Sequence, residues 1–303
     1  MANENFYTYV SAGTRTVQNV GDISDTIQLF GVAEWPLYDA LRKRKVKDNY
    51  PRVIVDTLAA VSTTNYHAEG ATAPAAVDQA RTLQQNWAQL KMITAEVSDT
   101  QNEIDQYGMG NELAYEEPLK IKELMRSLEA DIVSNQALQA PTHANGNIGK
   151  MAGMGALITT TTSSTWSLAV VETTMNTLVN TYGSNPTRLY MMGTNKIAVS
   201  GWTTAPTRFT TDIKSLEKEV NILHTCFGPS LQVYNHHLMP KDIAGAGAPH
   251  ALLLDMGLWE IATLIPLRRT ELPKDGSSTG VFFEIQCCVL CRGQQGNAYW
   301  DAS

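Results

Sequence analysis

The period of the apolar positions changes several times along the chain. Ile121, Leu124, Leu128 and Ile132 recur at i, i+3, i+7 and i+11, with Lys122, Glu123, Arg126 and Glu129 on the intervening positions. That spacing predicts one amphipathic helix with a buried stripe and a charged opposite side. Pro118 has no amide to donate, so the regular helix is expected to begin there with Pro118 at its first position, or to kink there. Upstream, ProArgValIleValAsp at 51–56 reads as a strand, and a short helix is expected near Pro36 to Leu41. Residues 57–105 form a long excursion rich in Ala, Thr, Gln and Asn, with AlaGluGlyAlaThrAlaPro at 68–74 as its tip and alternating positions on the return. A two-stranded ribbon of this kind cannot bury a core of its own, so it is expected to lie on a neighbour or to move.

Beyond the helix, 142–149 and 159–165 have the small, polar composition of loops. Residues 166–182 then read as a helix, ThrArgLeuTyrMetMet as a strand after AsnPro, and LysIleAlaValSerGlyTrp as a short helix. SerLeuGlnValTyr and HisAlaLeuLeuLeuAsp read as further strands, which makes a mixed α/β unit. The chain closes with LeuTrpGluIleAlaThrLeuIlePro, a Gly- and Ser-containing turn, and a strand from Val281 to Arg292, the pattern of a long hairpin.

Composition narrows the class. The 303 residues are 43% hydrophobic, enough for a substantial core and too many for a disordered chain. A net charge of -7, from 30 acidic against 23 basic residues, argues against a surface that grips nucleic acid everywhere. Charged residues make up only 17%, low for a soluble monomer, which points to surface covered by other subunits. The N-terminus has neither the basic start nor the apolar segment of a secretory signal, and no run reaches the roughly 18 apolar residues of a membrane span. The expected site of synthesis and first use is therefore the cytosol, with no membrane partner.

Candidate chemistry is sparse. Cys288 and Cys291 have CxxC spacing, and His224, Cys226, His236 and His237 could add metal ligands. Cys287 and Cys288 lie on a strand, however, and must point to opposite faces, so buried apolar thiols are the better reading and no metal or cofactor is expected. No GxSxG or HExxH pattern frames any of the six histidines. His236 and His237 fall at the end of an apparent strand, where a turn is expected. The glycines of MetAlaGlyMetGly and AlaGlyAlaGlyAla lack phosphate-loop spacing and read as flexible loops. The run ArgLysArgLysValLys at 42–47 is the one basic patch, and a solvated turn or intersubunit ion pairs outweigh nucleic-acid contact as its reading.

A series of short motifs is nonetheless collinear with a known family. Asn65, Glu69-Gly70, Arg81, Asn86, Gln89, Val97-Ser98-Asp99-Thr100-Gln101, Glu112-Leu113-Ala114 and Lys122 through Glu129 resemble the tailed-bacteriophage major capsid protein family. So do Gly183, Asn185-Pro186, Asn195-Lys196, Ser200-Gly201, Phe227-Gly228, Leu254-Asp255, Trp259, Arg268, Thr270-Glu271-Leu272 and Lys274-Asp275-Gly276, in the same order. Pro118 and His236-His237 depart from the family pattern, the latter where a basic pair-end is usual. The resemblance covers roughly residues 20–300 and implies an α+β chain with the Hong Kong 97-type phage capsid fold. The implied division is an N-terminal arm at 1–50, an extended β-ribbon loop at 51–105 and a peripheral domain with a long spine helix at 106–149. An axial α/β domain at 150–258 and a returning peripheral-domain hairpin at 259–303 complete it.

The implied function is a structural protein of the virion, not an enzyme. It would self-assemble as hexamers and pentamers in the host bacterial cytoplasm, into an icosahedral head around double-stranded DNA. Its implied partners are copies of itself, portal, scaffold and decoration proteins, and packaged DNA in weak, non-specific contact. Glu69, Arg81, Arg126, Glu129, Arg268, Glu271 and Lys274 are the candidate intersubunit charge contacts. Two alternatives stay open: an encapsulin-like nanocompartment shell, and a hydrolase using His224, Cys226 and His237.

Overall fold

A computed structural model describes residues 34–56, 58, 61–75, 80–104, 111–162, 166–202, 220–227, 230–239, 250–274 and 276–301. The first 33 residues of the expected arm, the end of the 159–165 stretch and AlaGlyAlaGlyAla lie outside that set. Among the described residues, the elements in chain order start with helix α1 (Pro36–Ala40) and strands β1 (Arg42–Lys45), β2 (Arg52–Val55), β3 (Thr82–Gln85) and β4 (Gln89–Ser98). Helices α2 (Asp99–Glu103), α3 (Glu112–Val133) and α4 (Met154–Leu157) follow, then β5 (Thr160–Thr162), α5 (Leu168–Asn176), β6 (Arg188–Met191) and α6 (Gly193–Trp202). Strands β7 (Ile222–His224), β8 (Ser230–Asn235), β9 (Ala251–Leu254), β10 (Trp259–Glu271), β11 (Ser278–Cys291) and β12 (Ala298–Trp300) complete the chain.

The strands form a four-stranded sheet in the order β1-β10-β11-β4, a six-stranded sheet in the order β5-β12-β9-β6-β8-β7, and the pair β2-β3. In the first sheet β10 and β11 make the expected hairpin, from Trp259 opposite Cys291 to Glu271 opposite Val281. Its register shifts twice between Thr263 and Arg268. Pro266 lies in that stretch, where a missing amide costs no ladder bond. Helix α3 buries Leu124, Met125, Leu128, Ile132 and Val133 in the cluster that contains Val281, Phe283, Ile285, Cys287 and Val289 of β11.

The six-stranded sheet is apolar on both faces at its centre. Leu189, Met191, Ala251 and Leu253 belong to one apolar cluster, with Val171, Met175 and Trp300; Tyr190, Leu252 and Leu254 belong to the other, with the α3 residues. Alternate side chains of β6 and β9 thus join two cores, which explains why AlaLeuLeuLeu is continuously apolar.

Several expectations need correction. Helix α3 does not begin at Pro118: it begins at Glu112, where the Asn111 side chain caps the Ala114 amide at 3.0 Å, and Pro118 sits inside it. Asparagine at the cap fixes the start, and in the second turn the proline forfeits only one bond, to the Ala114 carbonyl. The basic run is a strand and not a turn: Arg42–Lys45 pairs in parallel with Glu260–Thr263. Of the Thr-rich stretch, Thr160–Thr162 pairs with β12 in the six-stranded sheet. Strand β4, read as the return of the ribbon, pairs with β11 over ten positions, so only β2 and β3 form the free ribbon stem.

Candidate functional site

The root of the ribbon is built from buried amides. Asn86 is fully buried where β3 turns into β4, and its side chain donates to the Ala152 and Val289 carbonyls at 3.0 and 2.7 Å. Its carbonyl oxygen accepts from the Trp87 and Ala152 amides at 2.9 and 2.8 Å, so all four of its bonds are made. Gln89 donates to Asp131 of α3 at 2.9 Å, and Gln286 of β11 donates to Asn49 and to the Ala88 carbonyl. Tyr50 and Trp87, one on each leg, stack with ring centroids 4.1 Å apart. Gly153 is required nearby, because a Cβ there would lie 2.1 Å from the Ser134 carbonyl oxygen.

Beyond this root the ribbon leaves large apolar side chains in water. Ile54 is 69% exposed, Leu58 100%, Val61 94%, Tyr66 83% and Leu83 50%. At the tip, Gly70 has φ +80° and the Ala71 amide bonds to the Ala68 carbonyl, the turn expected at 68–74. The outer face of β4 continues the surface with exposed Leu90 and Met92. Covering an aliphatic or aromatic side chain is worth about 1.5–3 kcal/mol, so the ribbon holds on the order of 10 kcal/mol of gross burial energy that is unrealised among the described residues.

The candidate charges divide into three groups. Glu69 is exposed at the ribbon tip and Arg126 on the outer side of α3. Four others pair within the chain while staying more than half exposed. Arg81 meets Asp56 at 3.2 Å across the stem, and Arg268 meets Glu284 on the facing strand. Glu271 meets Arg269 at 2.8 Å, and Lys274 meets Asp99 at 2.5 Å. Arg269 also reaches Glu117 of α3 at 2.9 Å, and the two carboxylates raise its already high pKa. The Lys274 ammonium, helped by the Thr279 and Ser277 hydroxyls, holds the Asp99 carboxyl below its ordinary pKa.

Glu129 overturns its expectation. It has no exposed surface and so cannot meet a neighbouring subunit. Its two carboxylate oxygens accept the Leu37 and Tyr38 amides of α1 at 2.8 and 2.9 Å, and Oε1 lies 3.0 Å from His236 Nε2. The residue falls beside Leu128 and four positions from Met125 and Val133, inside a stripe two residues wide that the i, i+3, i+7 spacing had drawn one residue wide. His236 follows β8 in a turn, as expected, and is buried. His237 meets Glu34 at 3.3 Å, while Cys226 is exposed and His224 ends β7. Among the described residues, no three His, Cys, Asp or Glu side chains are placed to share a metal ion. Burial pushes the Cys287 and Cys291 thiols up to about 12, and Cys288 further, the opposite of what a thiolate ligand or nucleophile needs.

Asn86, Gln89, Gln286 and the Tyr50-Trp87 stack were not singled out as a clamp. Asn86 and Gln89 stood among the collinear motif residues, but the contacts that give them a role connect positions up to 203 residues apart.

Comparisons with known proteins agree with this geometry. The family model described as SU10 major capsid protein matches residues 8–300. A curated relative, the major capsid protein of Escherichia phage Phieco32, is 38% identical over 82 residues, a segment that is 27% of this chain and 23% of the relative. Among solved structures, one from Gordonia phage Cozz is similar at TM-score 0.66 and 12% identity, covering 100% of this chain and 96% of that one. The capsid of a native GTA particle gives a TM-score of 0.64 at 14% identity, covering 96% and 97%. Mycobacterium phage Ogopogo gives 0.61 at 13%, covering 91% and 94%.

Proposed function

The chain belongs to the SU10 major capsid protein family and has the Hong Kong 97-type α+β capsid fold, and we propose that many copies of it close into the icosahedral head of a tailed phage. The shell is built of hexamers and pentamers and encloses double-stranded DNA. Its work is mechanical, and its functional residues are interfacial.

The ribbon carries this reading. Ile54 and Leu83, on a stem of four paired residues per strand that cannot be stable alone, and Leu58, Val61 and Tyr66 beyond it are exposed in the single chain. Laid across an adjacent subunit, they supply the obligate burial that permanent interfaces of about 2,000 Å² or more require. The clamped root sets the ribbon's direction, and the Ala- and Thr-rich stretch beyond it adapts to hexameric and pentameric neighbours. Glu69, Arg81, Arg126, Arg268, Glu271 and Lys274 are the candidate charge contacts between subunits, with Arg81, Arg268, Glu271 and Lys274 sharing their present partners. Portal, scaffold and decoration proteins are the further partners, and assembly takes place in the host cytoplasm.

An encapsulin-like shell is not favoured, since the matching family and the curated relative are phage capsid proteins. The test is size-exclusion chromatography and negative-stain microscopy of the chain expressed alone and with its neighbouring genes. Closed shells, or rings of five and six, are the expected result. A monomer that never assembles under either condition overturns the reading.

A further inference from the structure

We propose that the basic edge strand β1 and the turn after it form a contact surface for nucleic-acid phosphates, which would make this segment the place where the shell touches its DNA. The inference rests on the capsid reading above and adds the surface that meets the contents.

Six of the chain's 23 basic residues fall between positions 42 and 52, against one acidic residue, Asp48, in a chain whose net charge is -7. Strand β1 holds four of them and is an edge of its sheet, bonded only to β10. One cation is already committed: Arg44 reaches the buried Glu260 at 2.9 Å, beside Arg292 at 2.8 Å. Lys43 is partly committed, 4.2 Å from the centroid of the Tyr38 ring and 3.8 Å from Asp39. Arg42, Lys45 and Lys47 are exposed and have no carboxylate partner among the described residues.

The arrangement suits a repeating anion. Side chains on the same face of a strand are about 6.6 Å apart, about twice the 3.4 Å axial rise between successive phosphates of one DNA strand. Lys43 and Lys45 share one face of β1 and Arg42 and Arg44 the other, so Arg42 and Lys45, without a carboxylate partner among the described residues, flank the edge from both sides. Unpaired lysines also protect a sheet edge against strand addition, but protection does not require five cations in six residues. A carboxylate partner on another copy is the competing occupant. The one carboxylate that this strand engages closely, Glu260, is buried and fixed, whereas the remaining cations have the open, unoriented placement that neutralises phosphate regardless of sequence.

Two measurements test the proposal. Fluorescence anisotropy of a 30-base-pair duplex with the purified, unassembled chain is followed from about 25 to 200 mM salt. The triple variant R42Q/K45Q/K47Q is expected to lower the log-log salt slope by about 2.7, at about 0.9 per phosphate contact. K150Q, which removes an exposed lysine outside this segment, is expected to leave the slope unchanged. If the triple variant fails to fold, K45Q and K47Q separately are each expected to lower the slope by about 0.9. No binding by the parent chain, or an unchanged slope in these variants, overturns the proposal while leaving shell formation standing.

The second measurement is amine acetylation of DNA-filled and DNA-free shells, read by mass spectrometry. Lys45 and Lys47 are expected to be shielded only in filled shells. Shielding in both assigns them to a subunit contact, and shielding in neither to solvent; either result overturns the proposal. If only monomers form, the capsid reading fails, and in that case, as where rings form without closed shells, the anisotropy measurement decides this one alone.

Discussion

Glu129 shows what one buried carboxylate does when its bonds are complete. Two backbone amides and an imidazole converge on it from α1 and from the turn after β8, so α1, the spine helix and the six-stranded sheet meet at one side chain. Removing one partner of a buried, hydrogen-bonded pair costs about 3–5 kcal/mol. Glu129→Ala is therefore expected to lower the urea-unfolding free energy of the soluble subunit by that amount, and His236→Ala by less, because the two amides keep their acceptor. Equal and small losses would show that the pair is not a junction. Asp99 acts at the surface instead. Its pKa is lowered in the folded state, so its contribution is fully present above its ordinary value of 3.8 and lost as pH falls through the lower folded value. Asp99→Asn is expected to flatten the stability profile in that acid window and to leave the neutral profile's shape unchanged, measured by unfolding between pH 2 and 7.

At the scale of elements, a proline inside α3 and an asparagine at the ribbon root make opposite predictions. Pro118 removes the bond to the Ala114 carbonyl, so Pro118→Ala is expected to stabilise the subunit by about 1–3 kcal/mol in chemical denaturation. Destabilisation would mean that the ring's packing outweighs the lost bond. Asn86→Ala leaves two amides and two carbonyls without partners in a buried corner. It is expected to cost about 3 kcal/mol or more and to speed hydrogen exchange at the Trp87 and Ala152 amides. Protection unchanged at both would remove the clamp from the account. The helix stripe, the ribbon tip at Gly70 and the long hairpin were legible because each is a local pattern of period or turn chemistry. Of the two readings of Pro118, a helix start or a kink, the structure overturns the start, because the Asn111 cap lies further upstream and a proline is a louder signal than an asparagine cap. The basic run became a strand through pairing with β10, more than 200 residues away in sequence, which no local period encodes.

For the whole molecule, collinear motifs made the architecture legible as a resemblance, while strand order and the split between ribbon and sheet came only with the structure. Strand β4 is the instructive case. Its alternation suited either a free ribbon or a half-buried sheet strand, and pairing with β11 decided for the sheet. The sharing of β6 and β9 side chains between two cores likewise depends on which strands lie beside them. The assembly surface was legible in part. The ribbon's inability to stand alone follows from its composition, whereas Glu129 was assigned to that surface although it belongs to the interior. The most direct test of the central claim is a cryo-electron-microscopy reconstruction of shells assembled from this chain. The account predicts that Leu58, Val61 and Tyr66 are buried against an adjacent subunit in hexamers and pentamers alike, with the Asn86 clamp unchanged. A closed shell in which these three side chains remain in solvent would contradict it.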